Sequence, residues 1–405
     1  MANTKITNPE LFNLGASTLA TQLPVMTLVQ RIAMTGMSVG EMIFNSDTDK
    51  VEYWDGTAWY SITYEAPAAE NPYNAVIYTG TGNARSITGV GFEPDFVWIK
   101  NRTTGFSHSL QDTIRGTGGA ATLSSDGAWA EGTYPNYGYI SAFNTDGFSI
   151  GGSGGTYGYA NTNQNNNNYV AWCFKAGGTA VSNTDGNLAS QVSANVAGGF
   201  SIVKWSGNDT TGGTIGHGLS STPELTIIKK TSATANWQVS LNASVTGVEG
   251  YMNLDASVAL YTTYPLYYTS SNSTVLSSNG TSTATRLYNN QSANYIAYCF
   301  HSVAGFSKIG TYTGNGSTNG PTVTLGFQPT FLMCKKTTST GNWRIMDSTR
   351  QSSNPKSKGL WANLTNAEST STSNLVDFNL NDFQLVGGGG DVNASGQAYI
   401  YIAFA

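Results

Sequence analysis

Charge is what this sequence has least of. Lys and Arg number 19 and Asp and Glu 24 in 405 residues, so charged side chains make up 11% of the chain, where an ordinary soluble domain carries about 25%. No run of Lys and Arg exceeds two residues. That excludes a phosphate-binding stripe, and no nucleic-acid partner is expected. No apolar run approaches the ~20 residues of a membrane helix, so no membrane insertion is expected. The N-terminus has no basic stretch followed by an unbroken apolar one. The expected route is therefore synthesis in the cytoplasm without a signal peptide. Cysteine and histidine number three each. They are scattered, without the clustered spacing of a zinc site, and no metal or cofactor is expected.

What is plentiful is Gly (47 residues) and Tyr (22), with Ser, Thr and Asn crowding nearly every row. Low charge with few apolar residues can mean disorder. Here 12% aromatic residues argue for buried area instead. The mixture reads as short strands joined by Gly-, Asn- and Ser-rich turns.

Three copies of one unit are legible. Each opens with an aromatic residue before a polar-Gly turn: Tyr78-Thr79-Gly80, Trp205-Ser206-Gly207 and Tyr312-Thr313-Gly314. Each then has a Pro with a Lys six residues on: Pro94 and Lys100, Pro223 and Lys229, Pro329 and Lys335. The apolar runs between them, such as Phe96-Val97-Trp98-Ile99, read as strands. Fourteen residues after the Pro stand His108, Trp237 and Trp343, and the two Trp are expected to be core anchors on a strand. Each copy closes on a strand beginning at Tyr169, Tyr295 or Tyr399, and the Pro-to-Tyr separations are 75, 72 and 70 residues. The closing strands are apolar on both faces, which places them centrally in a sheet. Turn signals every 8–12 residues suit an antiparallel sandwich. The expectation is an all-β chain: three tandem β-sandwich, jelly-roll-like repeats after a small N-terminal module with a three-stranded meander. The expected limits are 1–70 for the module, then 71–177, 178–303 and 304–405 for the repeats. Residues 178–198 read as a linker or an edge hairpin.

In the N-terminal module a helix is expected from about Pro24 to Met34. Met42-Ile43-Phe44, Val51-Glu52-Tyr53-Trp54 and Ala58-Trp59-Tyr60-Ser61-Ile62 follow as strands around two turns. So few strands cannot bury much alone. Phe44, Tyr53, Trp54, Trp59 and Tyr60 are therefore the candidate attachment or oligomer interface.

Two passages resemble known proteins. Ser38 to Asn45 followed by Tyr53 to Trp59 looks like a small module of phage tail-fibre and appendage proteins. Gly91-Phe92-Glu93-Pro94, Gly326-Phe327-Gln328-Pro329, Thr340 to Arg344 and Asn393 to Tyr399 resemble a β-domain found in tandem in tail proteins of marine and cyanobacterial phages. The second copy departs, with Gly218-Leu219 for Gly-Phe and its Pro displaced to 223. The resemblance implies a virion protein of the tail, a homotrimer, and residues 1–70 docking on other tail or virion proteins. It carries no catalytic residues.

Cys173 and Cys299 share one repeat position, and Cys334 stands where the other copies have Ile99 and Ile228, which reads as core packing. His108, His217 and His301 have no repeat-equivalent His, so a catalytic triad is not expected. Asp112 and Asp347 align with each other but with Leu241 in the second copy. They read as turn hydrogen bonds rather than glycosidase carboxylates. The Gly runs at 151–155 and 387–390 open no helix and hold no phosphate. What remains is recognition by loops of Tyr and small polar residues. The candidate ligand-binding residues are Tyr134, Tyr137, Tyr139, Tyr157, Tyr159, Asn161, Tyr264 and Tyr267. The expected function is non-enzymatic attachment to host surface polysaccharide or protein. The alternatives are a structural adaptor or capsid-decorating fibre and, less favoured, a polysaccharide-degrading tailspike.

Overall fold

The computed structural model describes residues 23–48, 50–62, 71–152, 157–210, 212–247, 250–262, 271–278 and 289–405. Among the described residues strands account for 41% and helix for 3%. The chain divides into two compact units, Met1–Glu70 and Asn71–Ala405.

Within the larger unit every repeat builds the same four-strand sheet, entirely antiparallel. In the first, the order is Tyr73–Thr79, Asn168–Phe174, Phe96–Asn101, Ser109–Asp112. In the second it is Phe200–Ser206, Asn294–Phe300, Leu225–Lys230, Gln238–Leu241. In the third it is Ser307–Thr313, Ala398–Phe404, Phe331–Lys336, Arg344–Asp347. The register is shared: Phe174 faces Phe96, Phe300 faces Leu225, and Phe404 faces Phe331. A smaller sheet covers one face of each, for example Arg85–Thr88, Gly147–Gly151 and Tyr139–Asn144 in the first repeat. The segment 178–198 resolves as the hairpin: Val181–Asn183 pairs with Ser190–Asn195, which extends the second repeat's main sheet.

The closing strands explain why they are apolar on both sides. Tyr169, Ala171 and Cys173 face the first repeat's own sandwich core. Val170, Trp172 and Phe174 face a second core shared by all three repeats. On the axis of that core the last phenylalanine of each closing strand meets the other two. Ring centroids lie 5.3 Å apart for Phe174 and Phe404, 6.0 Å for Phe174 and Phe300, and 6.1 Å for Phe300 and Phe404. The three repeats thus close a ring with pseudo-threefold symmetry inside one chain. Burying a Phe in such a place contributes about 1.5–3 kcal/mol.

Each seam of the ring is tied by the repeat-specific residues. Trp237 Nε1 donates to Ser124 O at 2.8 Å and Trp343 Nε1 to Asn253 O at 2.8 Å. His108 does the same with its ring. Trp98 Nε1 donates to His108 Nδ1 at 2.7 Å. An indole N–H only donates, so the imidazole proton sits on Nε2, which reaches Trp361 O at 3.0 Å. Trp237 and Trp343 are core anchors with 0% and 1% exposure. They stand one residue before the strand rather than on it, which frees the ring to cross the seam. The three lysines are wholly buried and cap the carbonyl six residues on: Lys100 Nζ to Phe106 O at 2.8 Å, Lys229 Nζ to Ala235 O at 2.6 Å, Lys335 Nζ to Gly341 O at 2.5 Å. Two also reach the neighbouring repeat, Lys100 to Thr365 O (2.9 Å) and Lys229 to Ala128 O (3.1 Å). Burial lowers each ammonium pKa to about 8.

Asp112 and Asp347 do accept turn hydrogen bonds, from Arg115 N at 2.9 Å and Arg350 N at 2.8 Å. They also anchor buried ion pairs, Arg115–Asp112 at 2.6 Å and Arg350–Asp347 at 2.5 Å, extended to Glu131 and Glu368. Each then takes a donor from the next repeat's closing strand: Tyr298 Oη to Asp112 at 2.8 Å and Trp172 Nε1 to Asp347 at 3.0 Å. At the third seam the equivalents are Leu241, Ser244, Leu260 and Ile402. Donor and acceptor are lost together there, which leaves no orphaned polar group.

Burial holds the His108 imidazole neutral, its pKa well below the usual value. The unfolded chain takes up a proton below about pH 6.5, so it binds more protons than the folded one and stability falls as pH drops through that value. Relative to His108→Gln, the wild type is expected to lose about 1.4 kcal/mol per pH unit below 6.5. Comparison with the variant cancels the opposite contribution of Asp126 and Asp255, whose carboxyl pKa values burial raises. Parallel urea curves for the two proteins from pH 7 to pH 5 would contradict this.

The cysteines are free and fully buried, one in each sandwich core. Burial pushes the Cys299 and Cys334 thiols up to about 12 and raises Cys173 as well. Thiolate is the reactive form. Mass spectrometry after maleimide treatment is expected to show no adduct on the native protein and three after denaturation.

The N-terminal unit differs from expectation in two places. Its helix is short, Leu28–Ile32, capped by Thr27 in a capping box with Gln30. Val25–Met26 ahead of it pairs in parallel with Phe44 and Asn45. The expected helix from Pro24 to Met34 is therefore cut by the Thr27 cap, and the meander gains a fourth strand. Its remaining strands are Met42–Asn45, Lys50–Trp54 and Trp59–Ile62.

Candidate functional site

The first repeat carries loops that the others do not match. Residue 128 onward is pinned by the seam with the second repeat. Ala235 N donates to Ala128 O (2.9 Å) and Glu131 N to Thr231 O (2.9 Å). Held between these contacts, Trp129 starts a row of rings. Trp129 and Tyr134 lie 4.9 Å apart edge-on, Tyr134 and Tyr137 5.4 Å, Tyr137 and Tyr157 5.7 Å and stacked, and Tyr157 and Phe106 6.4 Å. Tyr157 is 53% exposed and the other four are half-buried.

Asn161 sits beneath this row. Its N–H donates to Tyr137 O at 2.9 Å. Its side chain is buried, and Oδ1 has no partner. It lines a small recess of about 10 Å³ together with His108, Trp129, Thr133 and Tyr134. Six of the candidate residues thus divide in two. Tyr134, Tyr137, Tyr157 and Asn161 come together. Tyr139 and Tyr159 do not join them. They lie against Gly151 and Gly152, where a Cβ would sit 2.5 Å and 2.7 Å from the two rings. That is the use of those two glycines. Tyr264 and Tyr267 lie outside the described residues. Trp129 and Phe106 escaped the sequence reading because neither sits in a Tyr-rich run. A larger open groove of about 590 Å³ lies between the first and second repeats, bordered by Ile114, Gln191, Lys204 and Asn208. None of the polar atoms bordering it is buried without a partner.

In the N-terminal unit the strand register splits the candidate interface. Met42, Tyr53 and Tyr60 are directly opposed, as are Phe44 and Val51, so Phe44, Tyr53 and Tyr60 share one face of the sheet. Trp54 and Trp59 are on the other, with Ile43, Asn45 and Glu52. That second face is partly covered. Arg31 of the helix pairs with buried Glu52 at 2.7 Å, and Asn45 donates to Glu52 at 3.0 Å. The helix itself buries none of its residues, and Val29 and Ile32 are 75% and 72% exposed.

Comparison with known proteins places both units. Residues 3–81 match a phage tail like trimerisation region. Residues 69–405 match a family described as a domain of unknown function, DUF7483. No curated protein and no solved structure matches the chain. The first match supports a structural protein of phage-tail type, a virion component that self-associates as a trimer. Over its whole sandwich ring the chain belongs to the DUF7483 family, here carried behind a phage tail-like trimerisation region.

Proposed function

We propose that the protein is a non-enzymatic receptor-binding appendage of a phage tail. Residues 1–70 trimerise and dock on other tail proteins, and the sandwich rings meet the host surface. The observation that carries this reading is a phage tail-like trimerisation region joined to a compact ring with a pinned row of half-exposed aromatic residues. Trimerisation would present three equivalent rings, and linked weak sites gain avidity of up to about 10²–10⁴. The face bearing Phe44, Tyr53 and Tyr60 is the proposed contact between copies, because apolar surface of that kind is stabilised by a partner.

Light scattering is expected to give a trimer for the full chain and a monomer for a chain starting at Asn71. Phe44→Glu in the full chain should shift it toward monomer. A full chain that stays monomeric at micromolar concentration would leave attachment to another virion protein as the role of residues 1–70. In a pull-down with a panel of bacterial strains, the full chain should be retained by some strains and the Asn71 chain far less. Retention by none would favour an adaptor or decorating fibre.

A further inference from the structure

We infer that the Asn161 recess and the aromatic row above it form a subsite for a neutral hexose unit of a glycan. The inference deepens the receptor-binding reading and rests on it for its biological sense, but its chemistry can be tested separately.

The Asn161 side chain is 4% exposed, and its Oδ1 is buried without a partner. Such groups are rare in folded proteins and call for an explanation. The lining Thr and Ser hydroxyls and the His108 imidazole are already used. Thr133 Oγ1 donates to Ala130 O at 2.6 Å, Ser124 Oγ to His108 O at 2.8 Å, and Thr122 Oγ1 to Gly119 O. Both His108 ring nitrogens are engaged. The recess therefore offers one amide and no charge. An amide accepts through its oxygen and donates through its nitrogen, and a hydroxyl does both in return. A carboxylate or phosphate would meet no cation here, and an ammonium no anion, so a charged group would be desolvated without compensation.

The walls point the same way. Trp129 and Tyr134 set aromatic carbon beside the amide, and Tyr137 and Tyr157 continue the row. A sugar ring has that pairing of an apolar face with a hydroxyl edge. The recess, at about 10 Å³, has room for about one water-sized group. It suits a single hydroxyl, with the rest of the glycan lying along the row. The seam holds Trp129 in place before any ligand arrives, which lowers the cost of binding. Repeat-equivalents of Trp129 are Val258 and Asn366. Neither is aromatic, so this wall of the subsite belongs to the first repeat.

The test is saturation-transfer NMR on the full chain with methyl glycosides of glucose, mannose, galactose and N-acetylglucosamine, and with methyl glucuronide as the charged probe. At least one neutral glycoside is expected to receive saturation at its ring C–H protons, and the glucuronide none. Asn161→Leu should weaken that binding about tenfold, the loss of one hydrogen bond. Trp129→Ala should abolish it. Trp129 is half-buried, so its variant tests the site even if Asn161→Leu fails to fold. Silence from every neutral glycoside, a preference for the glucuronide, or unchanged binding in folded Trp129→Ala would overturn the inference. Cell binding separates the two claims. Strains bound equally by wild type and Trp129→Ala would keep the receptor reading and remove this site. Sugar binding without any cell binding would do the reverse.

Discussion

Arg350→Ala is expected to destabilise the sandwich ring by about 3–5 kcal/mol, the cost of breaking a buried pair by removing one partner. Arg350 and Asp347 are both 0% exposed at the side chain, 2.5 Å apart, and Arg350 also holds Glu368 at 3.0 Å. Truncation strands Asp347 inside the seam with only Trp172 Nε1 and a backbone N–H as partners. Domains are stable by roughly 5–15 kcal/mol, so a urea midpoint should move far. Replacing the whole set should not cost that much. The third seam shows its apolar counterpart, so Trp172→Ile, Asp347→Leu, Arg350→Ser and Glu368→Leu together are expected to recover most of the loss. Arg102→Thr belongs with them, because Arg102 pairs with Glu368 at 2.9 Å and Thr231 and Thr337 hold the equivalent positions. Buried ionic sets exchanged for packed apolar ones are often neutral or better. An Arg350→Ala protein within about 1 kcal/mol of wild type would mean that the seam relaxes and that the pair is not what holds it.

Trp237→Ala is expected to cost about 3–5 kcal/mol, in the range of large aromatic truncations in cores. The ring is fully buried in the shared core, and its Nε1–H crosses to Ser124 O. Trp237→Phe separates packing from hydrogen bonding. It keeps most of the ring but leaves the Ser124 carbonyl unmet, for about 1–3 kcal/mol. Trp237→His restores a donor where His108 already supplies one in the first repeat, and should lie above Trp237→Ala. Equilibrium unfolding of the three variants orders them. A Phe variant as stable as wild type would remove the seam hydrogen bond from the account.

These effects explain why parts of the molecule were legible and others were not. The Pro-to-Lys strand and the closing strand could be read because their side-chain alternation is local and was written three times. The lysine itself looked like punctuation. Its reason is the carbonyl six residues on, a contact made only once the hairpin folds back. The N-terminal helix is shorter than the expected Pro24 to Met34 because Val25 and Met26 are taken by a strand arriving nearly twenty residues later. The Tyr-rich loops were visible as composition, yet the row begins at Trp129, which is aligned by a neighbouring repeat.

By itself, the sequence determined an all-β chain, a threefold duplication, the strands that recur in it and the burial of its cysteines, because each depends on the residues of one copy. Only the tertiary structure decided that the copies close into a ring, which carboxylates became seams, and where Asn161 was left without a partner. The ring and its seams are set by contacts between copies a hundred or more residues apart, and no local pattern of polarity records which surface the second face of a closing strand will meet.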